Sequence, residues 1–244
     1  MRIAVYNQMF GLNGKSFWAN VLGHWAVHYQ SNPKKIWKRT NIKTTIDLVK
    51  RVNADIIGII EVLEGQEEEI KKRLRKFGYK YFYLGKGHKT KYSNLHVIEM
   101  LASKIKGNQM KFKEWPVENH LGGGGGMVVC YFPKLKLNLV LIHLGLPTKR
   151  FFFQQIKHTK KVLKKLKGNM ILMGDFNESY DNVKHHFPNL KLITGKIKTC
   201  SFTPFIRLFY CKDVDHIFVK GLKKKNVGFK QGRSDHKLIY ADIK

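Results

Sequence analysis

Acidic residues are scarce in this chain: 17 Asp and Glu stand against 46 Lys and Arg in 244 residues, a formal charge of +29. Cysteine is scarcer still. Cys130, Cys200 and Cys211 make an odd number with no C-x-x-C spacing. A disulfide framework or a zinc finger is therefore excluded as the organising feature, and a reducing cytoplasm is the simpler setting. Each thiol reads as a small buried hydrophobe. No apolar run approaches the ~20 residues that cross a bilayer; the longest, around Ile56–Ile60, is far too short. The chain opens on a strand-like Arg2–Tyr6, without a basic segment leading into an apolar one, so secretion is disfavoured and a cytoplasmic location is expected. What is present is a hydrophobic fraction of 43%, enough for a substantial core. The charge excess favours a polyanionic partner: nucleic acid, anionic lipid headgroups or acidic nucleotides. No protein partner can be read from it.

Short β-rich runs alternate with longer amphipathic stretches. Strands are predicted at Arg2–Tyr6, Ile56–Glu61, Tyr79–Leu84, His96–Ser103, Met127–Phe132, Leu137–His143, Asn169–Met173, Asp215–Val219 and Leu238–Asp242. Helices are predicted at Thr40–Val52, Gln66–Phe77 and Lys149–Lys167. The second carries Glu67, Glu68 and Glu69 in its first turn, bases later and Gly78 as a stop, which suits the helix dipole. No linker and no internal repeat interrupts the pattern, so one layered α/β domain spanning residues 1–244 is expected. The glycine run Gly122–Gly126 reads as a flexible loop, with a mobile substrate-side loop as the alternative. Phe10–Arg39 is long, aromatic and basic, with Trp18, His24, Trp25, Lys34, Lys35, Trp37 and Lys38, and is expected to be functional or partly helical. His185 and His186, beside Pro188, read as surface histidines in a loop.

Several apolar strands end on a polar residue that a core would not choose. Val5-Tyr6 runs into Asn7, Ile59-Ile60 into Glu61, Leu141-Ile142 into His143, and Met173-Gly174 into Asp175-Phe176-Asn177. Asp215 precedes Ile217-Phe218-Val219, and Ser234-Asp235-His236 precedes Leu238-Ile239. A single such residue is ordinarily a turn former or a helix cap. Six together fit one site, because ligands in layered α/β folds gather at strand ends. Glu61, Asp175 and Asp235 are hard oxygen donors suited to Mg²⁺ or Mn²⁺. His143 and His236 can hydrogen-bond or exchange protons with a phosphoryl group, and Asp215 could orient His236. Carboxylates, a divalent metal and histidine together point to metal-assisted hydrolysis of a phosphate ester.

In this order the residues resemble the endonuclease/exonuclease/phosphatase superfamily, in its deoxyribonuclease I-like form. Gly174-Asp175-Phe176-Asn177 matches the GDFN signature, Ser234-Asp235-His236 the closing SDH, and Asp215–Phe218 lies on the strand before it. Asn7, Glu61 and His143-Leu144 match the earlier motifs, so the likeness runs from residue 3 to residue 239. It implies a four-layer α/β sandwich, two central mixed β-sheets flanked by helices. By the same resemblance Glu61 binds the metal with Asp235 and Asn7 near it, and Asp175 orients or deprotonates the attacking water. Asn177 helps hold water and phosphate; His236, paired with Asp215, and His143 act on the phosphate from two sides. Arg150, ahead of Gln154 and Gln155, echoes a helix start beneath the site, as support or as a substrate contact. Cys200 and Ser201, within Thr199–Pro204, resemble a stretch that lines the pocket. His143 stands where apurinic endonucleases carry tyrosine, which turns the reading toward the deoxyribonuclease, sphingomyelinase and deadenylase branches. Deoxyribonuclease-like enzymes pair that histidine with an upstream glutamate. Glu99 is the only acid in the matching region, and sequence register does not assign it.

The expected activity is thus a Mg²⁺- or Mn²⁺-dependent phosphodiesterase, foremost a nuclease on DNA or RNA. The alternatives are a lipid or small-molecule phosphodiesterase or phosphatase, for which an anionic lipid surface would be the partner, and a non-catalytic nucleic-acid-binding module. Basic clusters at Lys34–Arg39, Lys71–Lys76, Lys157–Lys167 and Lys220–Lys225 suit a polyanion, although each could equally be a solvated face.

Overall fold

The computed structural model describes the chain except residues 13–22, 24–25, 38–39, 113–114, 117–123, 148–149 and 201–212, and the side chains of residues 33 and 37. Trp18, His24, Trp25, Lys38, Arg39, the first two glycines of the run, Ser201 and Cys211 therefore lie outside the described residues, as does the side chain of Trp37.

Among the described residues twelve strands form two mixed sheets. In chain order they are β1 (Arg2–Asn7), β2 (Ile56–Leu63), β3 (Tyr81–Lys89), β4 (His96–Ser103), β5 (Asn108–Gln109), β6 (Met127–Phe132), β7 (Leu137–His143), β8 (Asn169–Asp175), β9 (Lys191–Leu192), β10 (Asp215–Lys220), β11 (Lys224–Gln231) and β12 (Lys237–Ile243). One sheet has the order β11-β12-β1-β2-β4-β3, the other β5-β6-β7-β8-β10-β9. The described helices include α1 (Pro33–Trp37), α2 (Lys43–Val52), α3 (Glu67–Arg75), α4 (Arg150–Lys165) and α5 (Tyr180–His186).

Strand alternation builds the layers. Ile3, Val5, Ile56, Ile60 and Leu101 of the first sheet meet Val128, Leu139, Leu141, Ile171 and Met173 of the second in one buried cluster. The opposite faces are apolar as well: Ala4, Tyr6, Ile57 and Ile59 pack under Ile46 and Val49 of α2 and Ile70 and Leu74 of α3. On the far side Val140, Ile142 and Leu172 pack under Phe152, Ile156 and Val162 of α4 and Val183 of α5. Strands buried on both faces read as continuous apolar runs, which is why β2, β7 and β8 lack a polar-apolar alternation. The result is the four-layer α/β sandwich that the sequence motifs implied. Among the described residues no helix is long and apolar enough to cross a membrane.

Three differences from the sequence-based expectation have local causes. β11 was not predicted, because its side chains are half or fully exposed and three of its eight residues are lysines; charge on an edge strand blocks further pairing. β3 starts at Tyr81 and runs on to Lys89. Tyr79 instead plugs the gap beneath the sheet, its hydroxyl donating to the Ala54 carbonyl at 2.8 Å. His185 and His186 end helix α5 rather than lying in a loop, and the His186 ring packs on Phe152 and Phe187. Phe10–Arg39 is partly helical, through α1, and Phe10, Leu12, Val27 and Ile36 join Met9, Leu63 and Val97 in a small core of their own.

Candidate active site

Strand register sets three polar residues side by side. β7 and β8 are parallel with His143 opposite Asp175, and β10 is antiparallel to β8 with Asp215 opposite the same Asp175. The other sheet brings Asn7 at the end of β1, Glu61 in β2, and Asp235 and His236 just before β12. Glu61 reaches the site through a bulge. The β2–β4 register shifts between Ile59 and Val62, and Glu61 takes a left-handed φ of 56°. Bulges beside sites re-aim a side chain in this way. Asn177 is also left-handed, at φ 51°; its N–H donates to Asp175 Oδ1 at 2.8 Å and its Nδ2 to the Leu144 carbonyl at 2.7 Å. Gly174, at φ 153°, lies so close to β7 that a Cβ would overlap the Ile142 backbone. The glycine of the GDFN motif is thus a steric requirement.

Asp175 is the hub. Its Oδ2 accepts from Asn7 Nδ2 at 3.0 Å and lies 3.7 Å from His236 Nε2 and 3.9 Å from His143 Nε2. Each imidazole has its own carboxylate behind it. His236 Nδ1 meets Asp215 Oδ2 at 2.7 Å, and His143 Nδ1 lies 3.4 Å from Glu99 Oε1. Glu61 Oε1 stands 3.7 Å from His143 Nε2. Asp235 is buried among Ser234, Cys200 and His236. The Ser234 hydroxyl lies 2.8 Å from the Asn7 carbonyl, tying this segment to β1, and the His236 N–H donates to it at 3.0 Å. Thr199 Oγ1 accepts from the Asp215 N–H at 3.0 Å, so the described part of Thr199–Pro204 supports the site. Arg150 is exposed at the start of α4, seven residues beyond His143, and makes no contact with this cluster among the described residues.

The shifts of Asp175, His143 and His236 all run upward, the carboxyl through burial and like charge and the two imidazoles through neighbouring carboxylates against burial. Burial pushes the Asp175 carboxyl up to about 6, with the neighbouring Asp215 adding to it and the two histidines opposing. Burial alone would lower His143, but the Glu99 carboxylate 3.4 Å from its Nδ1 and the charges of Asp175 and Glu61 outweigh it and lift the imidazole to about 9. His236 rises well above its ordinary value for the same reason, with Asp215 the chief carboxylate against burial. Burial raises the Cys200 thiol to about 12, so in the metal-free protein it is a neutral packing group.

Glu99 is the residue the sequence left unassigned. It projects from β4, wholly buried, onto His143 Nδ1. The glycine run, read from sequence as a flexible loop, is what holds it. Gly126 N–H donates a short hydrogen bond to Glu99 Oε2, and Gly125 N–H donates to the His143 carbonyl at 3.0 Å. A Cβ on Gly125 would overlap the Glu99 carboxylate and come within 2.8 Å of His143 Nδ1. Gly124 accepts a short hydrogen bond from His88 Nδ1, whose ring stacks on His28 with centroids 5.6 Å apart. Gly124–Gly126 is therefore a close-packed strap across the Glu99–His143 pair.

The donor set fits a hard divalent cation. The ion pairs made by Glu61, Glu99, Asp175 and Asp215 among the described residues run to His143 or His236, and none runs to a lysine or arginine. Asp215 Oδ1 is buried without a hydrogen-bond partner among those residues. Asp175, Asp215 and His236 bring ligand atoms within 4.8 Å of one another, as do Cys200, Asp235 and His236. Such an excess of buried negative charge is relieved by a cation with oxygen ligands.

A four-layer sandwich of two mixed six-stranded sheets flanked by helices defines a class, the deoxyribonuclease I-like fold, and the family members that carry it are phosphoric ester hydrolases. The chain belongs to the endonuclease/exonuclease/phosphatase family, whose sequence profile matches residues 17–236. Members of this family use divalent metals. Among solved structures, a protein of the same family from Leptotrichia buccalis C-1013-b is similar at 16% identity and TM-score 0.67, over 100% of this chain and 99% of that one. A mannosyl-6-phosphatase from Bacteroides thetaiotaomicron VPI-5482 is similar at 17% identity and TM-score 0.62, over 100% and 99%. ANGEL2, a 2′,3′-cyclic phosphatase solved with adenosine-2′,3′-vanadate, is similar at 11% identity and TM-score 0.66, over 99% and 94%. At these identities the likeness is one of fold. No curated protein matches the sequence.

Proposed function

We propose that this chain is a Mg²⁺- or Mn²⁺-dependent phosphodiesterase acting on nucleic acid, DNA or RNA. One observation carries the reading: two imidazoles approach the same Asp175 oxygen, at 3.7 and 3.9 Å, each braced through Nδ1 by a separate buried carboxylate. That arrangement offers a proton acceptor for water flanked by two proton-donating groups for phosphate oxygens.

Glu61, with Asn7 and Asp235, would hold the metal, which supplies Lewis-acid polarisation of the phosphate when bound. Asp175, fixed by Asn7 and the Asn177 N–H, orients the attacking water and takes its proton. Asn177 holds water and phosphate in register. His236, kept cationic by Asp215, neutralises charge on the non-bridging oxygens. His143, kept cationic by Glu99, donates to the departing oxygen. The +29 charge supports a polyanionic substrate, drawn by long-range attraction to a small acidic centre. A second reading, hydrolysis of small phosphorylated molecules, is supported by the likeness of fold to the mannosyl-6-phosphatase.

The test is a panel of single- and double-stranded DNA, RNA, abasic DNA, sugar phosphates and phospholipids, each with Mg²⁺ and with EDTA. Nucleic acid is expected to be cleaved, and EDTA, Asp175→Asn and His236→Ala are each expected to stop it. Intact nucleic acid with Mg²⁺, Mn²⁺ and Ca²⁺ alike contradicts the proposal.

A further inference from the structure

Six large hydrophobic side chains stand more than a third exposed among the described residues: Tyr29, Tyr92, Met110, Leu146, Phe153 and Phe229. Four of the six lie at the end of the molecule that carries the acid-histidine cluster. Tyr92 lies in the turn between β3 and β4. β4 begins at His96, whose carbonyl accepts from the Glu64 N–H, three residues beyond the bulged Glu61. Tyr29 is held beside it. The Tyr92 N–H donates to the His28 carbonyl at 3.3 Å, and the two phenol rings lie 5.7 Å apart. Lys91 Nζ stands over both rings, 5.6 Å from one centroid and 5.3 Å from the other. On the other sheet, Leu146 follows His143 by three residues, and Phe153 sits in the first turn of α4, 61% exposed, near the exposed Arg150.

Each sheet thus contributes, beyond the strand ends that carry the cluster, an exposed ring and a cation: Lys91 over the two tyrosines, and Arg150 one helical turn from Phe153. Exposed hydrophobics scattered singly need no explanation, but exposed rings accompanied by cations at both sheets' site-bearing ends do. A ring face beside an ammonium or guanidinium is the combination that takes a base and its phosphate at once. We infer that this end of the molecule carries a base-stacking subsite for single-stranded polynucleotide. Tyr92, braced by Tyr29, receives bases on one side of the scissile phosphate, and Phe153 with Arg150 receives them on the other. The inference rests on the nucleic-acid reading and narrows it, because only unpaired bases offer both faces to a side chain. The seven residue steps from Tyr92 to Glu99 can span at most about 25 Å, the reach of a few nucleotides. A membrane surface is the poorer occupant: it would call for one contiguous apolar patch, whereas here two small patches are divided by a polar cluster.

Binding, read by fluorescence anisotropy in EDTA, tests this without turnover. The probes are a labelled oligothymidylate, an abasic deoxyribose-phosphate chain of equal length, the corresponding duplex, and phosphatidylserine-containing vesicles. The full chain is expected to bind oligothymidylate roughly tenfold tighter than the abasic chain. Tyr92→Ala should lose most of that difference and Tyr92→Trp should restore it. Lys91→Ala should weaken oligothymidylate and abasic chain alike and flatten the salt dependence. Equal affinity for oligothymidylate and abasic chain overturns the inference, as does a Tyr92→Ala protein that binds like wild type. Vesicle binding that depends on Tyr92, with no dependence on bases, overturns it in favour of a membrane surface. Base-dependent binding without Mg²⁺-dependent cleavage would retire the nuclease reading and keep the subsite. Cleavage with base-independent binding would do the reverse.

Discussion

The charge balance around His143 sets a measurable pH dependence of stability in the metal-free protein. The fold raises this imidazole from its ordinary 6.5 to about 9, against burial, through the nearby Glu99 carboxylate and the charges of Asp175 and Glu61. A group whose folded value is raised stabilises the fold fully below its unfolded value, and that contribution is lost as pH climbs through the folded value. The window therefore runs from pH 6.5 to about 9. Linkage puts the full effect at about 3 kcal/mol, which for a domain of this size moves the unfolding midpoint by about 6–12 °C. Asp175, raised to about 6, loses its contribution with the same sign but at lower pH. His236 is present in both proteins and shares Asp175 with His143, so the difference between the two curves reads His143 together with its effect on that shared carboxylate. The assay is thermal unfolding by circular dichroism in EDTA across this window, for wild type and His143→Gln. The wild-type midpoint should fall several degrees further than that of the variant. Parallel curves would show that His143 gains nothing from its carboxylates, and the proton-donor role proposed for it would fall with them.

Other expectations follow from individual contacts. Gly125→Ala should displace Glu99 from His143, because the added methyl overlaps the carboxylate. Its kcat should drop by one to two orders of magnitude with little change in KM, whereas Gly168→Ala, with open space around it, should leave kinetics unchanged. Asp215→Asn removes the charge that keeps His236 protonated. It should cost about 10²–10⁴-fold in kcat and shift the pH profile, with the unfolding midpoint measured alongside to separate folding from chemistry. Gly58→Ala pushes a methyl into Leu141 across the two-sheet core. It should destabilise by about 1–3 kcal/mol in urea unfolding, and a paired Leu141→Ala should recover part of that loss.

Much of this was legible in sequence because buried strands announce themselves. β4, β6 and β7 have the predicted bounds, since each is an apolar run with polar punctuation at both ends. The strand-end residues Asn7, His143, Asp175 and Asp215 could be read as one group for the same reason: a polar residue closing such a run is conspicuous. Glu99 was not legible. β4 is buried almost throughout, so no alternation says which face a residue takes, and only the packing of the second sheet brings its carboxylate to His143. The glycine strap misled for a related reason. Low complexity reads as freedom, yet Gly124, Gly125 and Gly126 are glycine because the His143 backbone and the Glu99 carboxylate leave no room for a side chain. The bulge that turns Glu61 inward depends on pairing with a strand about 40 residues along the chain, and β11 carries too little apolar pattern to announce itself, although it pairs with the adjacent β12. Arg150, read as support or substrate contact, is exposed and bears on the strand-stacking inference rather than on the cluster.

The central claim is that a metal-assisted water attacks phosphorus while Asp175 takes its proton. Cleavage of an oligonucleotide with Mg²⁺ in ¹⁸O-labelled water, with the product phosphate analysed by mass spectrometry, tests it most directly. One ¹⁸O atom per newly formed phosphate end, with no product from Asp175→Asn or in EDTA, is the expected result. Product whose phosphate carries no ¹⁸O, or cleavage that persists in EDTA, would contradict it.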